Sequence, residues 1–177
     1  MEGSRFSTLD NYDYDRLVRA AQEGDREACE QLVQASTRLV KKVTYATAGR
    51  ELCEDAYQET YLIAFKKIRQ LKNPAAFPSW ISRIALHVCY DFKKKVKVEE
   101  ELGGMEASPD HSETVADSVS IRKALSQLSS RERDVILLRE FLQLSYEQVA
   151  RTLQVPVGTV RSRLHKARAT LLERLKS

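Results

Sequence analysis

The stretch from Ser145 to Arg168 constrains the fold most, because its local signals define two short helices and the turn between them. Ser145 and Gln148 form a capping-box pattern, which predicts that a helix starts at this point. Pro156 disfavours helical geometry in the residue before it and supplies a fixed φ for a new first turn. We therefore expect one helix after Ser145 and a second from near Val157.

The second of these helices has an apolar stripe and a largely basic opposite face. At about 100° per residue, its inward positions form one narrow stripe made of Val160, Leu164, Ala167 and Leu171. Opposite them lie Gly158, Ser162, His165, Lys166 and Ala169, flanked by Thr159, Arg161, Arg163 and Arg168. Small residues let a helix enter a DNA major groove, where Arg and Lys reach phosphates and guanine edges. The pattern predicts a helix-turn-helix; a solvated basic face on an ordinary helix pair is the alternative.

Composition indicates an all-α protein, since 177 residues contain only 6 glycines and 4 prolines. Charge is unevenly distributed: residues 1–98 hold 17 Lys+Arg and 13 Asp+Glu, residues 99–117 hold none and 7, and residues 118–177 hold 12 and 5. An acidic strip between two basic blocks predicts a flexible linker between two small helical domains. The expected organisation is a loose arm over 1–13, a first domain over 14–96, the linker over 97–117 and a second domain over 118–177.

Apolar periodicity places the remaining helices. In the first domain we expect a short helix from Tyr14 that ends at Gly24 and Asp25, and a longer one that ends near Ala46. The next two helices should run from about Glu54 to Leu71 and from Pro78 to about Lys95. In the second domain, helices are expected from Ser118 and after Ser129, the latter with Phe141 on its apolar side.

Two outward helix faces in the first domain have unusual compositions. The face of the third helix combines acids with aliphatic residues, which favours a protein-docking surface over a plain solvated face: Asp55, Gln58, Glu59, Leu62 and Ile63. The face of the fourth helix interleaves cations with rings, and Trp80 lies at its border: Arg83, Leu86, His87, Tyr90 and Lys94. Such a stripe suits single-stranded nucleic acid, whose backbone charge is neutralised while its bases stack. Alternatively, Trp80 closes the core and the other residues merely lie on the surface.

Other functional classes find little support in the sequence. Cys29, Cys53 and Cys89 are widely spaced, so we expect reduced, largely buried thiols rather than disulfides or a metal site. We find no catalytic motif, which argues against an enzyme, and we expect no cofactor. Without a signal pattern or a long apolar run, the chain is expected to be cytoplasmic and not inserted in a membrane.

The same segments resemble the extracytoplasmic-function, or group IV, sigma factors of bacterial RNA polymerase. The block from Glu54 to Phe65 is similar to their polymerase-binding helix. The block from Phe77 to Phe92 is similar to the segment that reads and opens the -10 promoter element. The block from Leu128 through Leu175 is similar to the domain that binds the -35 element. Together with their order around an acidic linker, these blocks make a specific signal.

The resemblance implies partners and roles for matching positions. The polymerase, through its β′ clamp, would bind the acidic face of the third helix, and its β flap is a further implied contact. The -10 element would be captured as single strands at Trp80, Arg83, His87, Tyr90 and Lys94. The -35 duplex would be contacted by Arg139, Thr159, Arg161, Ser162, Arg163, His165 and Lys166. An anti-sigma factor is implied as a regulator. The rival interpretation is a stand-alone helix-turn-helix regulator that binds DNA without polymerase.

Overall fold

The structure is a computed structural model that describes residues 13–103, 125 and 127–175, without the side chains of 99–103 and 175. All regular structure in this part of the chain is helical, which confirms the predicted all-α class. The main helices are α1 (Tyr14–Glu23), α2 (Arg26–Ala48), α3 (Cys53–Lys67), α4 (Phe77–Gly103), α5 (Ser130–Ile136), α6 (Tyr146–Leu153) and α7 (Val157–Leu175). The chain divides into two compact units between Lys95 and Val96.

Side-chain caps define the junction between α1 and α2. Gly24 ends α1 in the left-handed region with a φ of 99°, which a residue without Cβ adopts without strain. The Asp25 carboxylate then starts α2 by accepting hydrogen bonds from the backbone N–H groups of Glu27 at 2.9 Å and Ala28 at 3.2 Å. The predicted break at Gly24 and Asp25 is confirmed.

Helices α2 and α3 pack around a core that contains a buried polar contact. The hydroxyl oxygens of Ser36 and Tyr61 lie 2.8 Å apart, and burial raises the pKa of Tyr61 to about 12. The phenol is therefore neutral and can share this hydrogen bond without the cost of burying a charge. Helix α3 ends at Lys67, short of the predicted Leu71, and a 3₁₀ turn covers Ile68–Gln70.

Helix α4 begins at Phe77, close to the predicted start at Pro78, but it does not end near Lys95. It continues to Gly103, so residues 97–103, which the sequence assigned to the linker, are helical. The acidic run contains no glycine or proline before Gly103, and glutamate is a good helix former. The predicted end of this helix near Lys95 was therefore wrong.

The C-terminal unit begins two of its helices with complete capping boxes. The Ser129 hydroxyl accepts from the N–H of Glu132 at 3.3 Å, and the Glu132 carboxylate accepts from the N–H of Ser129 at 3.0 Å. Ser145 and Gln148 form the same reciprocal pair, at 3.2 and 2.7 Å. These bonds satisfy backbone donors that would otherwise lack a partner. Both predicted helix starts are confirmed.

The turn between α6 and α7 and the segment before α6 set the direction of the later helices. Gln154 ends α6 in the left-handed region, and α7 begins at Val157 as predicted.

Leu137–Phe141 forms a π-helical turn, in which the spacing is wider than in an α-helix. Phe141 is consequently 53% exposed, and its predicted place on the apolar side was wrong.

Several predictions lie outside the described residues. They are the loose arm over residues 1–12, the linker from residue 104 onward, and most of the helix expected from Ser118.

Candidate nucleic-acid interface

Helix α7 presents the face that the sequence predicted, because its apolar stripe is anchored inside the C-terminal unit. Val160, Leu164 and Ala167 are at most 1% exposed, and burying a Val or Leu side chain contributes about 1.5–3 kcal/mol. The stripe therefore fixes the rotation of the helix. On the outward side, the exposed predicted residues are Arg161, Ser162, His165 and Lys166, whereas Thr159 and Arg163 are half-buried.

Lys166 has a partner that the sequence did not reveal. Its ammonium Nζ lies 3.1 Å from Oε1 of Glu132, whose side chain is only 11% exposed. The other carboxylate oxygen, Oε2, accepts from both the N–H and the hydroxyl of Ser129, at 3.0 and 2.6 Å. Hydrogen bonds from Ser129 and the nearby Lys166 ammonium lower the pKa of Glu132 to about 2. Glu132 is therefore a carboxylate that joins the start of α5 to the outer face of α7.

The two predicted arginines nearest α6 share an aromatic neighbour. The guanidinium carbons of Arg139 and Arg161 lie 5.1 and 5.8 Å from the ring centroid of Tyr146, within cation–π range. Arg139 is half-buried and donates to the carbonyl oxygen of Leu144 at 2.8 Å. The Tyr146 ring therefore lies beside both of these arginines, a contact that the sequence did not predict.

The outer face of α4 mixes exposed and half-buried groups. His87 and Lys94 are exposed, whereas Trp80, Arg83 and Tyr90 are half-buried. Trp80 packs its ring 6.0 Å from that of Phe77, which is 1% exposed. Trp80 therefore lies at the border, as expected, with one part against the core.

One residue assigned to this α4 face points inward. Leu86 is 2% exposed, so its predicted outward position was wrong. The apolar surface of α4 is wider than the single stripe inferred from the sequence, because the helix is covered on more than one side. The cationic face is correspondingly narrower.

The predicted docking face of α3 is also narrower than expected. Asp55, Gln58 and Leu62 are exposed, with Leu62 at 56%, but Glu59 is half-buried. Ile63 was expected to lie beside Leu62 on the surface. It is instead half-buried against the cluster of Ala48, Ala56, Val88 and Cys89. That cluster joins α2, α3 and α4, and an aliphatic side chain facing it is held by the core.

An open apolar groove borders this face. It has a volume of about 620 Å³ and lies between α2 and α3. Its aromatic side is a run of rings one helical turn apart: the centroids of Tyr57 and Tyr61 are 5.1 Å apart, and those of Tyr61 and Phe65 are 6.1 Å apart. Exposed Leu62 and Gln58 belong to both the groove and the acidic face.

The remaining site expectations concern cysteines, metals and membranes. All three cysteines are free; Cys89 is buried, but Cys29 and Cys53 are only half-buried and thus less enclosed than predicted. Burial raises the pKa of the Cys89 thiol to about 12. Within the described ranges, no three His, Cys, Asp or Glu side chains are grouped to hold a metal ion. In the same part of the chain, no helix is long and apolar enough to cross a bilayer.

Comparison with known sequences decides the family. The profile of sigma-70 region 2 matches residues 32–98, and the profile of sigma-70 region 4 matches residues 118–171. The first match contains the α3 and α4 faces, and the second contains the helix-turn-helix. The chain belongs to the sigma-70 family. Since region 2 accounts for much of the N-terminal unit, a stand-alone helix-turn-helix regulator is not favoured.

Relatives place this sigma factor in the extracytoplasmic-function group. It is 27% identical to the ECF RNA polymerase sigma factor SigW of Bacillus subtilis, over 91% of this chain and 96% of the relative. It is 29% identical to SigM of Mycobacterium tuberculosis, over 88% of this chain and 81% of the relative. Both alignments include regions 2 and 4. The family resemblance drawn from the sequence is thereby confirmed.

Solved structures share the fold of this sigma factor. CnrH, solved in complex with the cytosolic domain of CnrY, superposes with a TM-score of 0.70 at 22% identity, covering 92% of this chain and 97% of CnrH. The sigma factor RpoE of Bartonella quintana, solved with the anti-sigma factor NepR, gives a TM-score of 0.62 at 22% identity, covering 83% and 96%.

Proposed function

We propose that this sigma factor binds core RNA polymerase through α3 and directs it to promoters whose -10 and -35 elements are read by α4 and α7. The observation that carries the proposal is the exposed face of α7, which combines Arg161, Ser162, His165 and Lys166 opposite the buried side chains of Val160, Leu164 and Ala167. An outward face with cations and a small residue matches the chemistry of duplex base edges and phosphates.

The -35 assignment gains support from Gly158. A Cβ built on this glycine meets no atom within 4 Å, and the residue lies in the first turn of α7, outside the left-handed region. The fold itself therefore does not require glycine here. A close approach by a second macromolecule gives a physical reason for its small size. The half-buried Arg163 and Thr159 lie at the edges of the contact.

For Arg139, a phosphate contact suits its geometry. Its guanidinium is already bonded to the Leu144 carbonyl and lies against Tyr146, which leaves fewer donors for a bidentate contact with guanine. A backbone contact would position the protein and contribute little to base choice.

The -10 assignment is supported by the mixture on α4. Arg83, His87 and Lys94 can neutralise phosphates, while Trp80 and Tyr90 offer ring surface on which unpaired bases stack. Holding an unstacked base costs a few kcal/mol, which these contacts must offset. His87 is exposed and can donate or accept a hydrogen bond at a base edge.

Polymerase binding is assigned to Asp55, Gln58, Glu59 and Leu62, with half-buried Ile63 supporting the helix from below. Exposed Leu62 beside acidic groups fits an interface with an apolar centre and a polar rim. Tethering to polymerase raises the effective concentration of both DNA-reading faces, so neither needs to bind tightly alone. Regulation by an anti-sigma factor completes the proposal; its support is the family and the NepR complex of the similar RpoE.

Run-off transcription tests the proposal. The full chain is mixed with core bacterial polymerase and a library of promoter fragments, and enriched transcripts are aligned at their start sites. We expect initiation only when the chain and core polymerase are both present, with shared sequence near -10 and -35. Specific binding to a palindromic site without polymerase, together with no stimulation of transcription, would instead support the stand-alone regulator.

A further inference from the structure

The two carboxylate oxygens of Glu132 make different contacts. Oε2 accepts from Ser129 and closes the capping box of α5, whereas Oε1 lies 3.1 Å from the Lys166 ammonium. The residue is 8% exposed. A carboxylate with so little access to water requires partners for both oxygens, because burying an unpaired charge is costly.

Lys166 is arranged in the opposite way. Its side chain is 77% exposed although its ammonium is bonded to Glu132. One side of the ammonium is therefore held by the protein while the rest faces solvent. A free lysine is a point charge on a flexible stem that follows any nearby phosphate. A lysine held by a carboxylate is limited in position, and part of its charge is neutralised.

We propose that Glu132 is a specificity-determining positioning residue, which holds Lys166 toward one base edge of the -35 element and away from neighbouring phosphates. The inference rests on the proposed function, since it concerns how α7 reads duplex DNA. It assigns to a nearly buried acid, which does not face DNA itself, control over what an exposed cation can contact. In this arrangement Lys166 contributes more to sequence discrimination than to general attraction for DNA.

The test is Glu132→Gln in the full chain bound to core polymerase. Glutamine keeps the capping box, because its amide oxygen accepts from Ser129. Its amide nitrogen then faces Lys166 and offers no acceptor, so the lysine is released. Binding is measured on promoters with the intact and with a scrambled -35 element over a range of salt concentrations. We expect tighter binding to the scrambled promoter, a smaller ratio between the two affinities, and a salt slope steeper by about 0.9, corresponding to one added phosphate contact.

A matched control separates this effect from net charge. Glu140→Gln removes the same charge from the same unit and breaks the ion pair between Glu140 and Arg168, but it leaves the Glu132 to Lys166 pair intact. Both substitutions are repeated in a Lys166→Ala background. The effect of Glu132→Gln should vanish there, whereas any effect of Glu140→Gln should persist. Equal effects of both variants with and without Lys166 overturn the inference.

A second measurement keeps the test decisive if Glu132→Gln fails to fold. Lys166→Ala alone should reduce discrimination at the -35 element and leave the salt slope almost unchanged, since a lysine held by Glu132 occupies no phosphate. A slope shallower by about 0.9 would show that Lys166 binds a phosphate in the wild type and would overturn the inference.

The behaviour of the wild-type protein shows whether the proposed function fails or only the role proposed for Glu132. If the wild-type complex does not select the intact -35 element, the proposed function fails and the inference fails with it. If it does select that element and Glu132→Gln behaves like wild type, the proposed function stands and only the role of Glu132 is rejected.

Discussion

The two cationic faces of this sigma factor, on α4 and on α7, use similar residue types in different surroundings. On α7, Arg161 lies near the ring of Tyr146 and Lys166 is bonded to Glu132. On α4, Arg83 is half-buried, as are Trp80 and Tyr90, while His87 and Lys94 are exposed. One face holds its cations against groups of its own unit, and the other alternates cations with ring surface.

In the proposed function, this difference matches the two kinds of nucleic acid that the faces would bind. Base edges in a duplex groove present a fixed pattern of donors, acceptors and methyl groups, so a reader gains from cations at defined positions. Unpaired bases expose their faces, and stacking on rings tolerates variation in position and sequence. The surroundings of the cations, rather than their number, are therefore what we expect to distinguish the proposed duplex-binding face from the proposed single-strand-binding face.

The largest effect is expected from Asp55→Arg, which reverses the charge of an exposed residue on α3. In the proposed function the faces of α4 and α7 act only when tethered to polymerase, so this change should abolish core binding and promoter selection together, with no loss of thermal stability. Co-elution with core polymerase and a melting curve measure the two properties. Glu30→Arg, on the exposed side of α2, is the matched control. If the variant still selected the -35 and -10 elements without binding core polymerase, promoter selection would not depend on polymerase binding, and this prediction would be wrong.

The next effect concerns the α4 face. His87→Ala combined with Tyr90→Ala should weaken capture of a single-stranded -10 oligonucleotide by about 1–3 kcal/mol per stacked base. The -35 duplex affinity of the polymerase complex should not change. Fluorescence of a base analogue in the -10 element reports the capture. Tyr45→Ala, which removes a 59% exposed ring from α2, should have no effect; an equal loss in that variant would argue against a stacking face on α4.

On the α7 face, Arg161→Ala and Arg139→Ala should differ in kind. Arg161 is exposed, and its loss should cost about 1–3 kcal/mol of discrimination at one -35 base pair. Arg139 is fixed by the Leu144 carbonyl, so its loss should weaken binding equally on intact and scrambled elements. Competition binding of the polymerase complex with single-base variants measures both. If Arg161→Ala weakened binding equally on all of these promoter variants, Arg161 would contact a phosphate rather than a base.

The smallest effect is a pH dependence of the C-terminal unit. Hydrogen bonds from Ser129 and the charge of Lys166 hold the pKa of Glu132 at about 2, below the 4.5 of an unperturbed glutamate. The unfolded chain therefore takes up this proton first as pH falls. The stabilisation is complete above about pH 4.5 and is lost as pH falls through about 2. The difference in melting temperature between wild type and Glu132→Gln should accordingly shrink on acidification. A difference that stayed constant with pH would contradict the lowered pKa of Glu132 in the folded protein.

Local signals predicted much of the fold and a good part of the candidate site. The capping boxes at Ser129 and Ser145, the break at Gly24 and the start of α7 at Val157 are as expected, because each depends on residues within one turn of the chain. Rotation of α7 was also predictable, since its apolar stripe has only one buried orientation. The helical stretch from 97 to 103 departs from the prediction, because the helix propensity of the glutamates outweighs the local excess of negative charge.

Contacts between distant segments were beyond the reach of such signals. Leu86 and Ile63 are apolar residues whose burial depends on which neighbours cover a second side of their helices. Periodicity identifies one buried stripe on a helix, but it does not show how much of the helix surface is covered by neighbouring segments. Phe141 departs from the pattern in the opposite sense, because a π-helical turn changes the spacing on which the pattern depends.

The sequence by itself determined that this protein is helical, where most helices start, and which face of α7 carries cations, because hydrogen-bond caps and helical spacing are local properties. Tertiary structure alone decided what those cations touch. Glu132 and Lys166 are far apart along the chain, and only the packing of α5 against α7 brings the carboxylate to the ammonium. A side chain's charge can be read from the sequence, but its partner depends on the fold.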